Sequence, residues 1–154
     1  MPSHWLMKSE PDVYSVDDLA RDGTTFWNGV RNFRARNILR DEMKEGDLAF
    51  FYHSNATPSA IVGVARIAGE AKPDPTQFDK KLGEEMGYDP KSKRESPTWW
   101  GRDVAFVEKL AKPVTLAQVK AQKKLANMAL VKIAQLSVQP VTPAEWNVVL
   151  ALAR

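Results

Sequence analysis

The sequence contains no cysteine and only two histidines. Without cysteine there is no disulfide, no thiol nucleophile and no thiolate metal site. Two histidines outside any His-Glu-x-x-His pattern give no basis for a protein-held metal ion, and no cofactor is expected. No apolar run approaches the roughly 20 residues needed to cross a bilayer, and the N-terminus lacks the basic-then-apolar pattern of a signal peptide. These absences lead us to expect a soluble, cytoplasmic protein with no membrane partner. There is also no Gly-x-Ser-x-Gly elbow, so Ser9, Glu10, Asp47 and His53 are triad ingredients without triad spacing, and we do not expect an enzyme. Gly63 and Gly69 do not form a phosphate-binding glycine loop.

What is present suits one domain spanning residues 1–154: 44 % hydrophobic and 27 % charged residues are ordinary for a chain of this length. The net charge of +3 permits a polyanionic partner without demanding one. Its distribution is more telling. Residues 31–40 hold Arg31, Arg34, Arg36 and Arg40, and the stretch from Lys109 to Ala144 holds six lysines and no carboxylate.

The apolar runs His4–Lys8, Leu48–Tyr52, Ile61–Ala68 and Val104–Leu110 read as strands, the middle two as an antiparallel pair across the polar turn His53–Ser59. Gly63 marks a bulge or a tight bend in its strand. Ser15 and Gly23 bracket a short helix, and Asn32 caps a second that reaches to about Lys44. On that helix Ala35, Ile38, Leu39 and Met43 share a packing face, while Arg36 and Arg40 share another. Ala71–Thr98 reads as a long surface loop with a helical turn at Phe78–Glu85. Thr115 with Gln118 forms a capping box, Thr142-Pro143-Ala144-Glu145 starts a last helix, and Leu130–Val138 suits either helix or strand. Together these elements predict an α+β fold, a small, partly closed β-barrel with peripheral helices.

Five tryptophans separate by context. Trp5 and Trp146 read as core, on a strand and on an apolar helix face. Trp27 lies in a turn beside Asn28-Gly29, where a ring suits a ligand wall as well as it suits packing. Trp99 and Trp100 point to opposite faces of an extended segment, and we expect Trp99 to face a groove. The run from Thr24 through Trp27 to Asn37 therefore sets a flat ring one step from clustered arginines, an arrangement that suits a base and its phosphate. For the arginines the competing reading is a solvated helix face partly neutralised by Asp41, Glu42 and Glu45. For His53-Ser54-Asn55, at a strand end, it is a plain turn.

With those residues laid out, the chain resembles the EVE domain family, including the thymocyte nuclear protein group, a branch of the PUA-like superfamily. The resemblance runs through Trp5-Leu6-Met7-Lys8-Ser9-Glu10-Pro11, Trp27-Asn28-Gly29-Val30-Arg31-Asn32, Tyr52-His53-Ser54-Asn55, Gly63-Val64-Ala65-Arg66 and Leu136-Ser137-Val138-Gln139-Pro140-Val141-Thr142. The same order of features is similar to YTH domains, which read a methylated base in RNA. What this implies is a PUA-like barrel whose pocket binds nucleic acid carrying a modified base, either a modified cytosine in DNA or a modified base in RNA. The implied base pocket comprises Lys8, Ser9, Glu10, Trp27, Asn28, Val30, Tyr52, His53, Ser54, Asn55 and Trp99, with Arg31, Asn32, Arg34 and Arg36 on phosphates. Two departures stand out. His53–Ala60 lacks the second cage aromatic of the YTH-like pattern, leaving Trp99, Trp100 or Tyr52 as candidates. Glu10 stands where that pattern has an amide or a shorter acid, and its carboxylate suits an exocyclic amine. A nucleoside or small-molecule sensor using the same pocket is the alternative, and a hydrolase built on Ser9 and His53 is a third.

Overall fold

A computed structural model describes residues 2–154. The strands are β1 (His4–Ser9), β2 (Thr24–Trp27), β3 (Leu48–His53), β4 (Ala60–Ile67), β5 (Lys72–Pro73), β6 (Trp100–Thr115) and β7 (Val138–Val141). The α-helices are α1 (Val16–Asp22), α2 (Phe33–Asn37), α3 (Leu116–Ala121), α4 (Ala129–Lys132) and α5 (Pro143–Leu152). Strands run in the order β2-β6-β4-β3-β1-β7, with β5 paired to β6 off this path. The α+β expectation holds. The sheet stays open, since its end strands β2 and β7 each pair on one side alone among the described residues.

Both faces of the sheet are covered, which explains why its strands read as continuous apolar runs and not as alternations. Along β1, Trp5 and Met7 enter one core with α1 and α2 residues, while Leu6 enters the other. Along β3, Ala49 and Phe51 follow the first set and Phe50 and Tyr52 the second. In the second core Trp146 of α5 stacks on Phe50 at 3.8 Å between centroids. A register shift between Ile61 and Gly63 in the β4–β6 pairing bears out the bulge expected at Gly63.

The helix starts follow the capping chemistry. Ser15, Thr115 and Thr142 each make a full capping box, with Asp18, Gln118 and Glu145 respectively. The Asn32 side chain caps α2, but that helix changes character after Asn37. Ile38–Glu42 is π-helical, and the Met43 N–H reaches the Ile38 carbonyl five residues back. Arg102 of β6 explains why the irregular end is tolerated. Its guanidinium, buried in the core, donates to the carbonyls of Leu39, Arg40 and Met43 and to Gly69. The first three are helix-end acceptors that have no partner within the helix. The expected face of Ala35, Ile38, Leu39 and Met43 is buried throughout.

The ambiguous Leu130–Val138 segment divides into the end of α4 and the start of β7. The Ala71–Thr98 stretch holds 3-10 turns at Pro75–Phe78, Lys80–Leu82 and Glu84–Met86. It is not a free loop. Asp74 and Gln77 are both fully buried within it, and Gln77 Nε2 donates to the Asp74 and Trp99 carbonyls at 2.7 Å each. Gln77 Oε1 in turn accepts the Trp99 N–H at 2.9 Å. These bonds fasten the loop to the entrance of β6.

Candidate functional site

A groove of about 340 Å³ opens where the C-terminal ends of β1 and β2 approach the turn before α1, lined by Lys8, Ser9, Val13, Tyr14, Thr25, Phe26, Trp27 and Asn28. That volume sits at the small end of the roughly 300–1,000 Å³ found for ligand pockets, a size that suits one flat heterocycle. Val13, Tyr14, Phe26 and Trp27 supply apolar surface; Lys8, Ser9, Thr25 and Asn28 supply donors and acceptors.

Trp27 can lie there because Gly101 faces it on β6. A Cβ at Gly101 would stand 2.2 Å from the Trp27 carbonyl oxygen and 2.8 Å from the Phe26 ring, so only glycine allows β2 this close. Trp27 is 8 % exposed, and its ring packs edge-on against Phe51 at 5.5 Å. It is a core residue and a groove wall at once. After it the chain turns through Gly29 at φ 81°, a backbone angle that favours glycine. The Gly29 N–H donates to Asp74 Oδ2 at 2.7 Å.

The remaining groove groups are held by their neighbours. The Ser9 hydroxyl donates to the Tyr14 carbonyl at 2.7 Å, which folds the Pro11–Tyr14 turn back over the strand end and leaves the hydroxyl lone pairs free to accept. The Tyr14 hydroxyl donates to Asp22 Oδ2 at 2.8 Å; burial and then this bond raise its pKa above the ordinary value. Lys8 donates to the Ala134 carbonyl and lies 5.7 Å from the Tyr52 ring centroid, and burial lowers its pKa.

The other residues singled out in the sequence are brought near, but in different roles. Parallel pairing of β1 with β3 sets Lys8 opposite Tyr52 and Ser9 opposite His53, so the two strand ends do converge. Tyr52, however, points into the second core and is 3 % exposed. His53 Nε2 accepts the Val16 N–H at 3.1 Å and its ring meets Phe51 edge-on. It caps the first turn of α1. Burial pushes its pKa down, Asp17 pulls the other way, and Lys109 adds to the fall, all consistent with a neutral acceptor. With the Ser9 hydroxyl donating to Tyr14 and His53 Nε2 held by Val16, the two do not form the nucleophile–base pair of a hydrolase. The Ser54 N–H donates to the Ser9 carbonyl, and Asn55 donates to the Glu10 carboxylate. Glu10 and Asn55 thus form an exposed contact with each other and do not line the groove.

Val30 is buried in the first core. Trp99 is buried too, stacked on Phe33 at 4.9 Å with its indole N–H donating to Asp89 at 2.8 Å. It does not reach the groove, and neither do Trp100 or Tyr52. The aromatic walls beside Trp27 are Phe26 and Tyr14. Their signal was present but quiet: Phe26 is the neighbour of Trp27 on a short strand, and Tyr14 is returned to Ser9 by the turn at Pro11. Val13 and Thr25 were missed with them.

The arginines divide in the same way. Arg31 spends its guanidinium on Asp74 (3.0 Å), Thr76 (2.8 Å), Gly87 (2.7 Å) and Val30 (3.0 Å). It braces the Trp27 turn against the long loop. Burial alone would raise the Asp74 carboxyl, but hydrogen bonds from Thr76, Gly29 and Arg31 outweigh that and hold it below the usual carboxylate range. Arg36 donates to the Thr98 carbonyl and to Asn37, and Asn32 is committed to its cap. Arg34 is exposed with no ion pair or hydrogen bond among the described residues. The six lysines between 109 and 132 are all exposed, and Lys109 pairs with Asp17 at 2.8 Å. No cluster of three or more His, Asp or Glu side chains suited to a metal ion occurs among the described residues, and no helix is long and apolar enough to cross a membrane.

These features describe an α+β domain built on one open, twice-covered sheet, with a heterocycle-sized groove at its rim. The EVE domain profile matches residues 3–152, and the chain belongs to the EVE domain family. Human thymocyte nuclear protein 1 is 42 % identical over an alignment that covers 99 % of this chain and 74 % of the human protein. Among solved structures, a hypothetical protein from Leishmania major superposes with a TM-score of 0.93 at 39 % identity, covering 99 % of this chain and 95 % of that one. Human THYN1 protein, solved in complex with 5-methylcytosine-containing DNA, superposes with a TM-score of 0.92 at 43 % identity, covering 99 % of this chain and 98 % of that chain.

Proposed function

We propose that this protein binds nucleic acid carrying a modified base, with modified cytosine in DNA as the first substrate class, and that the base enters the groove between Trp27, Phe26 and Tyr14. The observation that carries the reading is the likeness, along almost the whole chain, to a human relative solved with 5-methylcytosine DNA. The groove supports it through its size and its mixture of flat apolar walls with Ser9, Thr25, Asn28 and Lys8.

The energetics constrain how such binding works. Stacking is worth about 1–3 kcal/mol per base, while extruding a base from a duplex costs a few. One groove therefore roughly breaks even on a duplex, and phosphate contacts supply the surplus. Arg31 is held by Asp74 and Thr76, so among the arginines of this stretch Arg34 is the one left to contact a phosphate. A buried methyl group adds about 0.8 kcal/mol, near fourfold in affinity. Larger discrimination requires that the wrong base leave a groove donor or acceptor unpaired, worth about 1–3 kcal/mol.

The test is binding of DNA and RNA oligonucleotides, each with a single modified base, against their unmodified counterparts and the free modified nucleosides. Thr25→Val and Asn28→Ala are the informative variants, since the expected cost of Trp27→Ala in folding, about 3–5 kcal/mol, would obscure its effect on binding. We expect both to narrow the preference for the modified strand at unchanged thermal stability. Equal affinity for the nucleoside and the strand would overturn the strand reading and favour a nucleoside sensor. Unchanged preference in both variants would move the site elsewhere.

A further inference from the structure

Phe33 is the one aromatic among the strongly exposed large apolar residues of the described chain, at 59 % exposure. Its surroundings are ordered. The ring stacks on Trp99 at 4.9 Å with 28° between planes. Trp99 is itself fixed by Asp89 and lies 5.4 Å from the Arg31 guanidinium. The Arg36 guanidinium stands 4.9 Å from the Phe33 centroid. An aromatic that served only to cover Trp99 would be buried with it, yet the residue as a whole stays more than half exposed. It is held in place and left exposed, which is the condition for stacking with little ordering cost.

The charge around it selects the occupant. From Asn28 to Arg40 the sequence has four arginines and no carboxylate. Arg34, on the turn of α2 that follows Phe33, is exposed and free of partners among the described residues. A flat ring flanked by cations, with the nearby carboxylates engaged, Asp89 on the Trp99 indole and Asp41 on Arg40, matches a base joined to a phosphate. Six residues separate Trp27 from Phe33, at most about 20 Å of chain, and the turn at Gly29 shortens the path. A strand of a few nucleotides is therefore long enough to join the groove to Phe33.

We propose that Phe33, with Arg36 and Arg34 beside it, is a second stacking site that takes a nucleobase flanking the one held in the groove, on the same strand. The proposal rests on the groove reading above. It makes the protein a reader of a modified base together with unpaired flanking sequence, and it predicts a preference for strands over nucleosides.

The test compares Phe33→Ala, Phe33→Leu and Phe33→Tyr with the unaltered protein. The ligands are a free modified nucleoside, a single-stranded nonamer with a central modified base, and the unmodified nonamer. Phe33→Ala and Phe33→Leu should weaken both nonamers about tenfold to a hundredfold and leave the nucleoside unaffected, while Phe33→Tyr stays close to the unaltered protein. The slope of affinity against salt should be unchanged by Phe33→Ala and reduced by about one by Arg34→Ala. Full nonamer affinity in Phe33→Ala would overturn the second site while leaving the groove reading intact. Equal losses for nucleoside and nonamer would also overturn it, by showing a structural effect passed through Trp99. Loss in Phe33→Ala without any preference for the modified nonamer would instead sink the groove reading and retain the stacking surface. Failure to bind either nonamer would overturn both.

Discussion

The sharpest expectation concerns Asp74→Asn, a change of one heavy atom in a residue that touches no ligand. Asp74 is wholly buried, and each of its oxygens accepts twice. Oδ1 takes the Thr76 N–H at 2.8 Å and the Thr76 hydroxyl at 2.6 Å, and Oδ2 takes the Gly29 N–H at 2.7 Å and Arg31 Nη1 at 3.0 Å. Asparagine has one acceptor oxygen and puts an NH₂ group against the other pair of donors. With the NH₂ group toward Gly29 and Arg31 two hydrogen bonds are lost, with it toward Thr76 the N–H bond is lost while the hydroxyl can turn to accept, and in both cases Arg31 loses its ionic partner. Bonds to charged groups are worth about 1.5–3 kcal/mol, and breaking a buried pair costs about 3–5 kcal/mol. Because Arg31 keeps its carbonyl partners, we expect about 3 kcal/mol, a fall in Tm of about 6–12 °C for a chain of this size.

Urea unfolding at pH 7 should show the loss in midpoint with little change in slope. The pH dependence supplies a second check. The Asp74 carboxyl is held below its unfolded value, so the unfolded chain binds the extra proton first, and the stabilisation is complete above about pH 4 and lost as pH falls through the folded pKa. The gap between the two proteins should therefore close in acid. A cost below about 1 kcal/mol, or a gap that persists undiminished in acid, would refute the brace that ties the Trp27 turn to the long loop.

Gly101→Ala should separate β2 from β6, destabilise the fold by about 1–3 kcal/mol or more and weaken oligonucleotide binding, as read by calorimetry and anisotropy on one preparation. Arg102→Met leaves the carbonyls of Leu39, Arg40 and Met43 without their donor, and we expect about 1–3 kcal/mol for each that stays buried and unpaired, read by chemical denaturation; a neutral result would mean that the π-helical end needs no anchor. His53 has its folded pKa lowered by burial, so its contribution is intact above the unfolded value near 6.5 and declines as pH falls below it. His53→Gln should flatten the stability profile between pH 7 and 5, and an unchanged profile there would contradict the Val16 cap.

The local elements were legible because their signals act over a few residues. Ser15, Thr115 and Thr142 announced their helices through boxes that close within one turn, and Gly63 announced its bulge. The four strands identified from apolar runs also held. The extent of β6 was not legible, because in its second half buried Leu110 and Val114 stand four residues apart with exposed Ala111, Lys112 and Pro113 between them, and neither was the π-helical end of α2, which depends on an arginine some sixty residues away.

Chain order alone determined that Trp27 would stand beside a turn and a group of arginines, and that Lys8, Ser9 and His53 would occupy strand ends. Which of these line the groove and which are taken up by partners within the fold was decided by tertiary structure. Arg31 was converted from phosphate ligand to brace by a buried carboxylate 43 residues away, His53 became a helix cap, and Trp99 was drawn inward beneath Phe33. A polar side chain takes its role from whichever partner reaches it first in the folded state, and burial makes leaving that partner costly. Sequence records the donor or acceptor; only the fold supplies the partner.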